Sequence, residues 1–184
     1  MIIVLRGANG SGKTHQVRAL LAKARTVMHP YPYYESQVIT VPRVAMPVMV
    51  VGPYTDGRSM GGCDCIRPVS LIYDAVDHAW VRNWHVVLEG AVLAAKPFLE
   101  YQTQGRDVRF ALLDPPLRSS LARIKARQKK KGQVTPFSPE VIAERGRIAH
   151  DAYVEAKHAG MTTIDFHTPF IDALPWILAQ LRSI

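Results

Sequence analysis

Cysteine is nearly absent from this chain: Cys63 and Cys65 are the only two in 184 residues, and one residue separates them. That spacing makes a poor disulfide and supplies only part of the ligand set a structural zinc site needs. Both thiols are therefore expected to be reduced, in a cytosolic loop, with no structural metal. Long apolar runs are missing too. Pro47, Pro53 and Glu89 interrupt the longest ones, and none approaches the ~20 residues of a membrane span, so no membrane partner is expected. The five apolar residues at the start lead into no cleavage site, which argues against a secretory leader. Internal repeats, low-complexity tracts and linkers are also lacking, so residues 1–184 are expected to form one domain in the cytoplasm.

Acidic residues are missing from one stretch in particular. Between Pro115 and Lys131 there are seven basic residues (Arg118, Arg123, Lys125, Arg127, Lys129, Lys130 and Lys131) and no acid. Without those seven, 16 basic residues face 15 acidic ones, so the net +8 becomes +1. The excess charge is local and marks a surface that meets phosphates. Apolar residues make up 48% of the chain, enough for a full core and too many for a disordered one.

The most informative segment is Ile2-Ile3-Val4-Leu5-Arg6-Gly7-Ala8-Asn9-Gly10-Ser11-Gly12-Lys13-Thr14. A short apolar strand runs into G-x-x-x-x-G-K-T, and an amphipathic run follows from Val17 to Ala24. Glycines let the backbone close around an anion, with N–H groups aimed inward and the positive end of a helix dipole behind them. This is the phosphate-binding loop of P-loop NTPases, and Gly7 to Thr14 are its candidate nucleotide contacts. Lys13 would reach the β- and γ-phosphates of ATP, and the Thr14 hydroxyl would hold Mg²⁺. Four fixed positions match by chance in roughly one chain in a hundred of this length.

Strand and helix patterns alternate along the rest of the chain, predicting an α/β fold. Strands are expected at 2–6, 85–90, 107–113 and 161–166, and helices at 13–25, 69–82, 92–102, from Pro115 to Gly132, 138–158 and 168–184, with Pro175 weakening the start of the last. Residues 38–41 and 48–51 are β-branched runs that either pair as a hairpin or join the main sheet. Residues 29–34 are turn-rich, and 52–65 form a glycine-rich loop of the functional kind.

Three further groups carry candidate chemistry. Val86-Val87-Leu88-Glu89-Gly90 is an apolar strand ending in an acid, placed to hold Mg²⁺ through water or to orient an acceptor. Leu112-Leu113-Asp114-Pro115-Pro116 leads to Arg123 and Arg127, which share a helix face at i, i+4 and suit phosphate oxygens. In the loop, Asp64 is the candidate acceptor of a hydroxyl proton, with Asp56 second, and Arg58 a candidate for an acceptor phosphate. Tyr31, Tyr33, Tyr34 and Tyr54 could stack on a base or pack over the core edge.

Together these features resemble the nucleoside-monophosphate-kinase-like branch of P-loop kinases. The resemblance implies a three-layer α/β/α sandwich with a mainly parallel five-stranded sheet in the order 2-3-1-4-5. It also implies catalytic arginines at Arg123 and Arg127, and a small basic lid over about 123–137. The loop Gly52, Tyr54, Asp56, Gly57, Gly61, Gly62, Cys63, Asp64 is similar to that of phage 5-hydroxymethyluracil DNA kinases. That likeness implies a modified base in duplex DNA as acceptor, with Tyr54, Asp56, Arg58 and Asp64 at the substrate, and host cytoplasm as the location. The alternative is a kinase of free nucleosides or deoxynucleoside monophosphates. A nucleotide-dependent DNA-binding module is the non-enzymatic option, which Glu89 and the paired arginines disfavour. No N-K-x-D motif supports a GTPase.

Overall fold

Four near-continuous apolar runs, Ile2–Arg6, Val48–Val51, His85–Glu89 and Val108–Leu113, become the buried centre of one sheet, as strands covered on both faces should. The computed structural model describes residues 1–29, 36–54, 61–91, 93–132 and 138–183. In chain order its elements are β1 (Ile2–Arg6), α1 (Lys13–Leu21), β2 (Thr26–Met28), β3 (Gln37–Thr40), β4 (Val48–Val51), α2 (Ser70–Val81), β5 (His85–Glu89), α3 (Lys96–Thr103), β6 (Val108–Leu113), α4 (Leu117–Lys131), α5 (Pro139–His158), β7 (Thr162–Phe166) and α6 (Leu174–Arg182).

The sheet is mixed and holds seven strands among the described residues, not the five expected, in the order β2-β3-β4-β5-β1-β6-β7. β4, β5, β1, β6 and β7 run parallel, and within that set the order is the expected 2-3-1-4-5. The extra width comes from β3, antiparallel to β4, and β2, antiparallel to β3. Both options for 38–41 and 48–51 therefore hold: they form a hairpin, and the hairpin belongs to the main sheet. β2 carries little sequence signal, because it is three residues long and exposed throughout.

Period-two alternation divides the core. Ile2 and Val4 face a layer formed with α2, α3 and the end of α5, while Ile3 and Leu5 face α1 and α6. Helices thus cover both faces. Several boundaries differ from those the sequence predicts, each for a tertiary reason. α1 stops at Leu21 because the chain turns and Arg25 N–H bonds to Thr40 in β3. α3 begins at Lys96 rather than 92, since the segment before it is engaged by Asp64 and Arg6. α4 begins at Leu117, because a residue preceding proline avoids helical backbone and Pro116 is extended. Residues 167–173 are not helical, and the Gln16 side chain binds Ile171, Ala173 and Leu174 there. α5 has the expected Ser138 cap, whose hydroxyl accepts from Val141 N–H. Among the described residues no helix is long and apolar enough to cross a membrane.

His85 opens β5 at the end of the sheet opposite the glycine-rich loop over residues 7–14. It is buried, and neither ring nitrogen has a partner among the described residues. Burial lowers its pKa to about 4; the N-terminal ammonium and Arg109 push the same way, and Asp107 opposes them. The unfolded chain then takes up a proton near pH 6.5 that the folded chain refuses until about pH 4. Stability from the neutral ring is complete above pH 6.5 and is lost as pH falls through the folded value. His85→Leu is therefore expected to gain on the wild type by about 1–2 kcal/mol between pH 7 and pH 4, after allowance for solvent screening. Urea unfolding at the two pH values measures this; a constant difference would contradict the assignment.

Candidate active site

β1 delivers the chain to the loop at the carboxyl end of the sheet, where open parallel sheets bind ligands. The loop nests against β6. A Cβ on Gly7 would lie 2.3 Å from the Leu113 carbonyl, so only glycine fits. Gly12, in the left-handed region, then turns the chain into α1. Lys13 is buried, and its Nζ donates to the Gly7 and Ala8 carbonyls at 2.9 and 3.0 Å.

The next residue reaches across the sheet. Thr14 Oγ1 donates to Glu89 Oε1 at 2.6 Å, joining the loop helix to the end of β5. Glu89 is 1% exposed. Burial raises its pKa, opposed by the Lys13 charge and by the Thr14 hydrogen bond. Burial lowers that of Lys13, opposed by the charges of Glu89 and Asp64. Each ion thus supports the charge on the other.

The glycine-rich segment folds onto this pair. Residues Cys63–Cys65 form one 3-10 turn, and Asp64 on it accepts the Ala91 N–H at 2.9 and 3.0 Å through its two carboxylate oxygens. Gly62 makes that approach possible. Its φ is +78°, and a Cβ there would lie 2.6 Å from the Glu89 carboxylate. Cys63 is buried and Cys65 half-buried, both as free thiols.

A cavity of about 210 Å³ results, lined by Asn9, Gly10, Gly12, Lys13 and Thr14 of the loop and by Asp64, Glu89, Arg123 and Arg127. Of the other loop residues, Gly7 packs against Leu113, Ala8 packs with Ile124 and Ile142, and Ser11 is buried. Arg123 is already engaged: its guanidinium donates to the Gly10 and Ser11 carbonyls at 3.0 and 3.2 Å and also to Pro169 O. It buckles the loop to the segment after β7, while Arg127, one turn on, lines the cavity. Beside it, Ser11, Gly12, His15, Gln16 and Arg123 face Phe170, Ile171 and Asp172 across a second cavity of about 710 Å³.

Of the two options the sequence leaves for Tyr54, the structure takes packing over stacking, and Tyr54 is not among the residues lining the cavity. Its ring is 5% exposed in the layer beneath the sheet and packs against Gly61, so it presents no stacking face. Tyr31, Tyr33, Tyr34, Asp56, Arg58 and residues 133–137 of the expected lid lie outside the described residues. Two contributors escaped the sequence reading. Gln16 stitches α1 to residues 171–174. Arg6, 1% exposed, ends β1 among the cavity's charges; its place on the Ile2 and Val4 face was the available signal.

Thr14 and Glu89 offer hard oxygen donors of the kind Mg²⁺ takes, with phosphate oxygens and water supplying the rest. Among the described residues no group of three or more His, Cys, Asp or Glu is placed to hold a metal ion.

No family model matches this chain, and no curated protein matches it either. Among solved structures, a deoxyadenosine kinase from M. mycoides with bound dCTP is similar over 100% of both chains, at 13% identity and a TM-score of 0.45.

The packing of Gly62 yields a stability prediction. Gly62→Ala adds a clash with Glu89 to a strained backbone and is expected to destabilise by about 3 kcal/mol or more. Gly105→Ala has a φ of +80° but nothing within 4 Å, and should cost only about 1 kcal/mol. Urea midpoints of the two variants provide the comparison.

Proposed function

We propose that this chain is an ATP- and Mg²⁺-dependent kinase that transfers the γ-phosphoryl group to a hydroxyl of a nucleoside. The observation that carries this reading is the contact of Thr14 with Glu89 beside Lys13, in a glycine-walled cavity that also presents Asp64 and Arg127. The loop N–H groups and the start of α1 receive the phosphates. Lys13 exchanges its Gly7 and Ala8 carbonyls for phosphate oxygens, a short move for a side chain already in place. Thr14 and Glu89 would hold Mg²⁺, which when bound neutralises charge on the β- and γ-phosphates. The second cavity takes the nucleoside half of ATP, between Arg123 and the 170–174 segment. The acceptor oxygen bonds to the γ-phosphorus as the bond to the β,γ-bridging oxygen breaks. Asp64 takes the hydroxyl proton and ADP departs. Arg127 steadies the charge on the phosphoryl oxygens.

A free nucleoside, accepting on its hydroxyl, is the acceptor we place first; a deoxynucleoside monophosphate in the same cavity would instead accept on a phosphate oxygen, with no hydroxyl proton for Asp64 to take. Glu89 is buried and Asp64 half-buried, so the reacting hydroxyl has to enter the cavity. A free nucleoside does so without leaving a base stack, whereas a base in duplex DNA must first be flipped, at a few kcal/mol. The 5-hydroxymethyl group of a modified base in DNA is the second reading. It is favoured by the exposed cations Arg118, Lys125, Lys129 and Lys130 on α4, a helix without a carboxylate.

Label transfer from γ-labelled ATP tests both. The panel is nucleosides, deoxynucleoside monophosphates, ordinary duplex and duplex containing hydroxymethyluracil. Label in the small molecules supports the first acceptor. Label confined to the modified duplex, with affinity falling steeply as salt rises, supports the second. Label in neither removes the kinase assignment. With the responsive acceptor, Lys13→Ala is expected to abolish transfer. Asp64→Asn should lower kcat on the order of 100-fold while leaving ATP affinity nearly unchanged. Unaltered turnover in Asp64→Asn would leave that carboxylate a turn residue.

A further inference from the structure

Arg6 is a buried guanidinium at the end of the central strand, on the face that Ile2 and Val4 give to the apolar core. A cation there is costly unless its donors are used. One terminal nitrogen donates to Leu93 O and the other to Ile148 O at 3.4 Å; Nε has no partner among the described residues.

Each carbonyl belongs to a piece of the site. Leu93 lies two residues beyond Ala91, whose N–H holds both oxygens of Asp64. Ile148 lies two residues beyond Gly146 in α5, and a Cβ on Gly146 would meet the Cβ of Ala8 in the phosphate loop at 3.7 Å, an ordinary contact. One planar group therefore spans the peptide that aims Asp64 and the helix that backs the loop. A guanidinium suits this work, because its rigid fork fixes two acceptors relative to each other, which a flexible ammonium does not. The charge is matched to the location as well: Asp64 is the acid that most favours charged Arg6, against the burial that lowers its pKa to about 10.

We propose that Arg6 is a positioning residue that sets the Asp64 carboxylate relative to the phosphate loop by bracing Leu93, two residues from Ala91, against α5. The inference rests on the kinase reading above for its kinetic consequence, but its structural consequence stands apart from activity.

Arg6→Lys, with Arg6→Gln in parallel, tests it. In Arg6→Lys, hydrogen exchange of the Ala91 amide is expected to quicken on the order of tenfold. The Val86 amide, bonded to Met1 O in the same sheet, should keep its wild-type rate. With the responsive acceptor, kcat should fall on the order of tenfold, while the affinity for a nonhydrolysable ATP analogue stays within about threefold. In an Asp64→Asn background the same substitution should alter kcat by less than about twofold, because its route of action is gone. Unchanged exchange at Ala91, equal acceleration at Val86, or additive effects on kcat would overturn the inference. So would failure of both variants to fold, which would make Arg6 a stability residue. A wild type that transfers no label would remove the kinase reading alone, leaving the exchange comparison to decide the role of Arg6.

Discussion

The ammonium of Lys13 and the carboxylate of Glu89 are buried in one cavity, and much of the surrounding architecture follows from that. Neither charge would be tolerable alone in such surroundings, where a lone ion neutralises rather than stay charged. They are held by different elements, Lys13 at the start of α1 and Glu89 at the end of β5. Keeping them together therefore requires those two elements to be fixed with little play. The Thr14 hydrogen bond to Glu89 does this directly. The parallel pairing of β1 with β5, up to the register Leu5↔Glu89, does it through the sheet. A site of this kind suits transfer of a highly charged group, because dipoles and charges set in advance need little reorganisation when the reaction begins.

Such closeness limits which side chains the strand ends can carry. Gly7 meets the end of β6, and Gly62 meets Glu89, at distances that exclude even a methyl group. Within the loop over residues 52–65, the described glycine that matters most is thus a packing residue rather than a hinge. It lets the turn with Asp64 settle on the end of β5. The motif joining glycines to an aspartate is then readable as one device, in which the small residue makes room and the acid, two positions later, uses it.

Much of this was legible from residue order. The glycine-rich loop over 7–14, the acid ending β5 and the helix with Arg123 and Arg127 each rest on local spacing, and spacing survives folding. The parallel core strands were legible because a strand covered on both faces is apolar throughout, as at Val86-Val87-Leu88. What escaped depends on distant partners. β2 is exposed and three residues long, so only its pairing with β3 makes it a strand. The start of α3 moved because Arg6 and Asp64 occupy the backbone that a longer helix would have used. Arg123 fits phosphate chemistry by its spacing, yet its guanidinium also binds backbone carbonyls of the loop, which no pattern of charges reveals. Tyr54 shows a different limit: an aromatic residue in a glycine-rich loop is compatible with stacking or with packing, and only its burial decides for packing.

The first turn of α1 joins these parts because helical geometry sends neighbouring side chains in different directions. Successive residues are rotated by about 100°, so the side chains of Lys13, Thr14 and Gln16 leave the turn in different directions and make different hydrogen bonds. Lys13 folds back onto the loop, Thr14 crosses to β5, and Gln16 descends to residues 171–174. Those last residues border the second cavity, whose other wall includes Arg123, itself bonded to the loop and to Pro169. The two cavities are therefore coupled through one rigid helical turn and one guanidinium. Displacing the loop would disturb the 170–174 wall, and loosening that wall would free the loop. Under the kinase reading proposed above, a nucleotide occupying both cavities would brace each against the other, so that phosphate grip and nucleoside recognition would belong to a single mechanical unit.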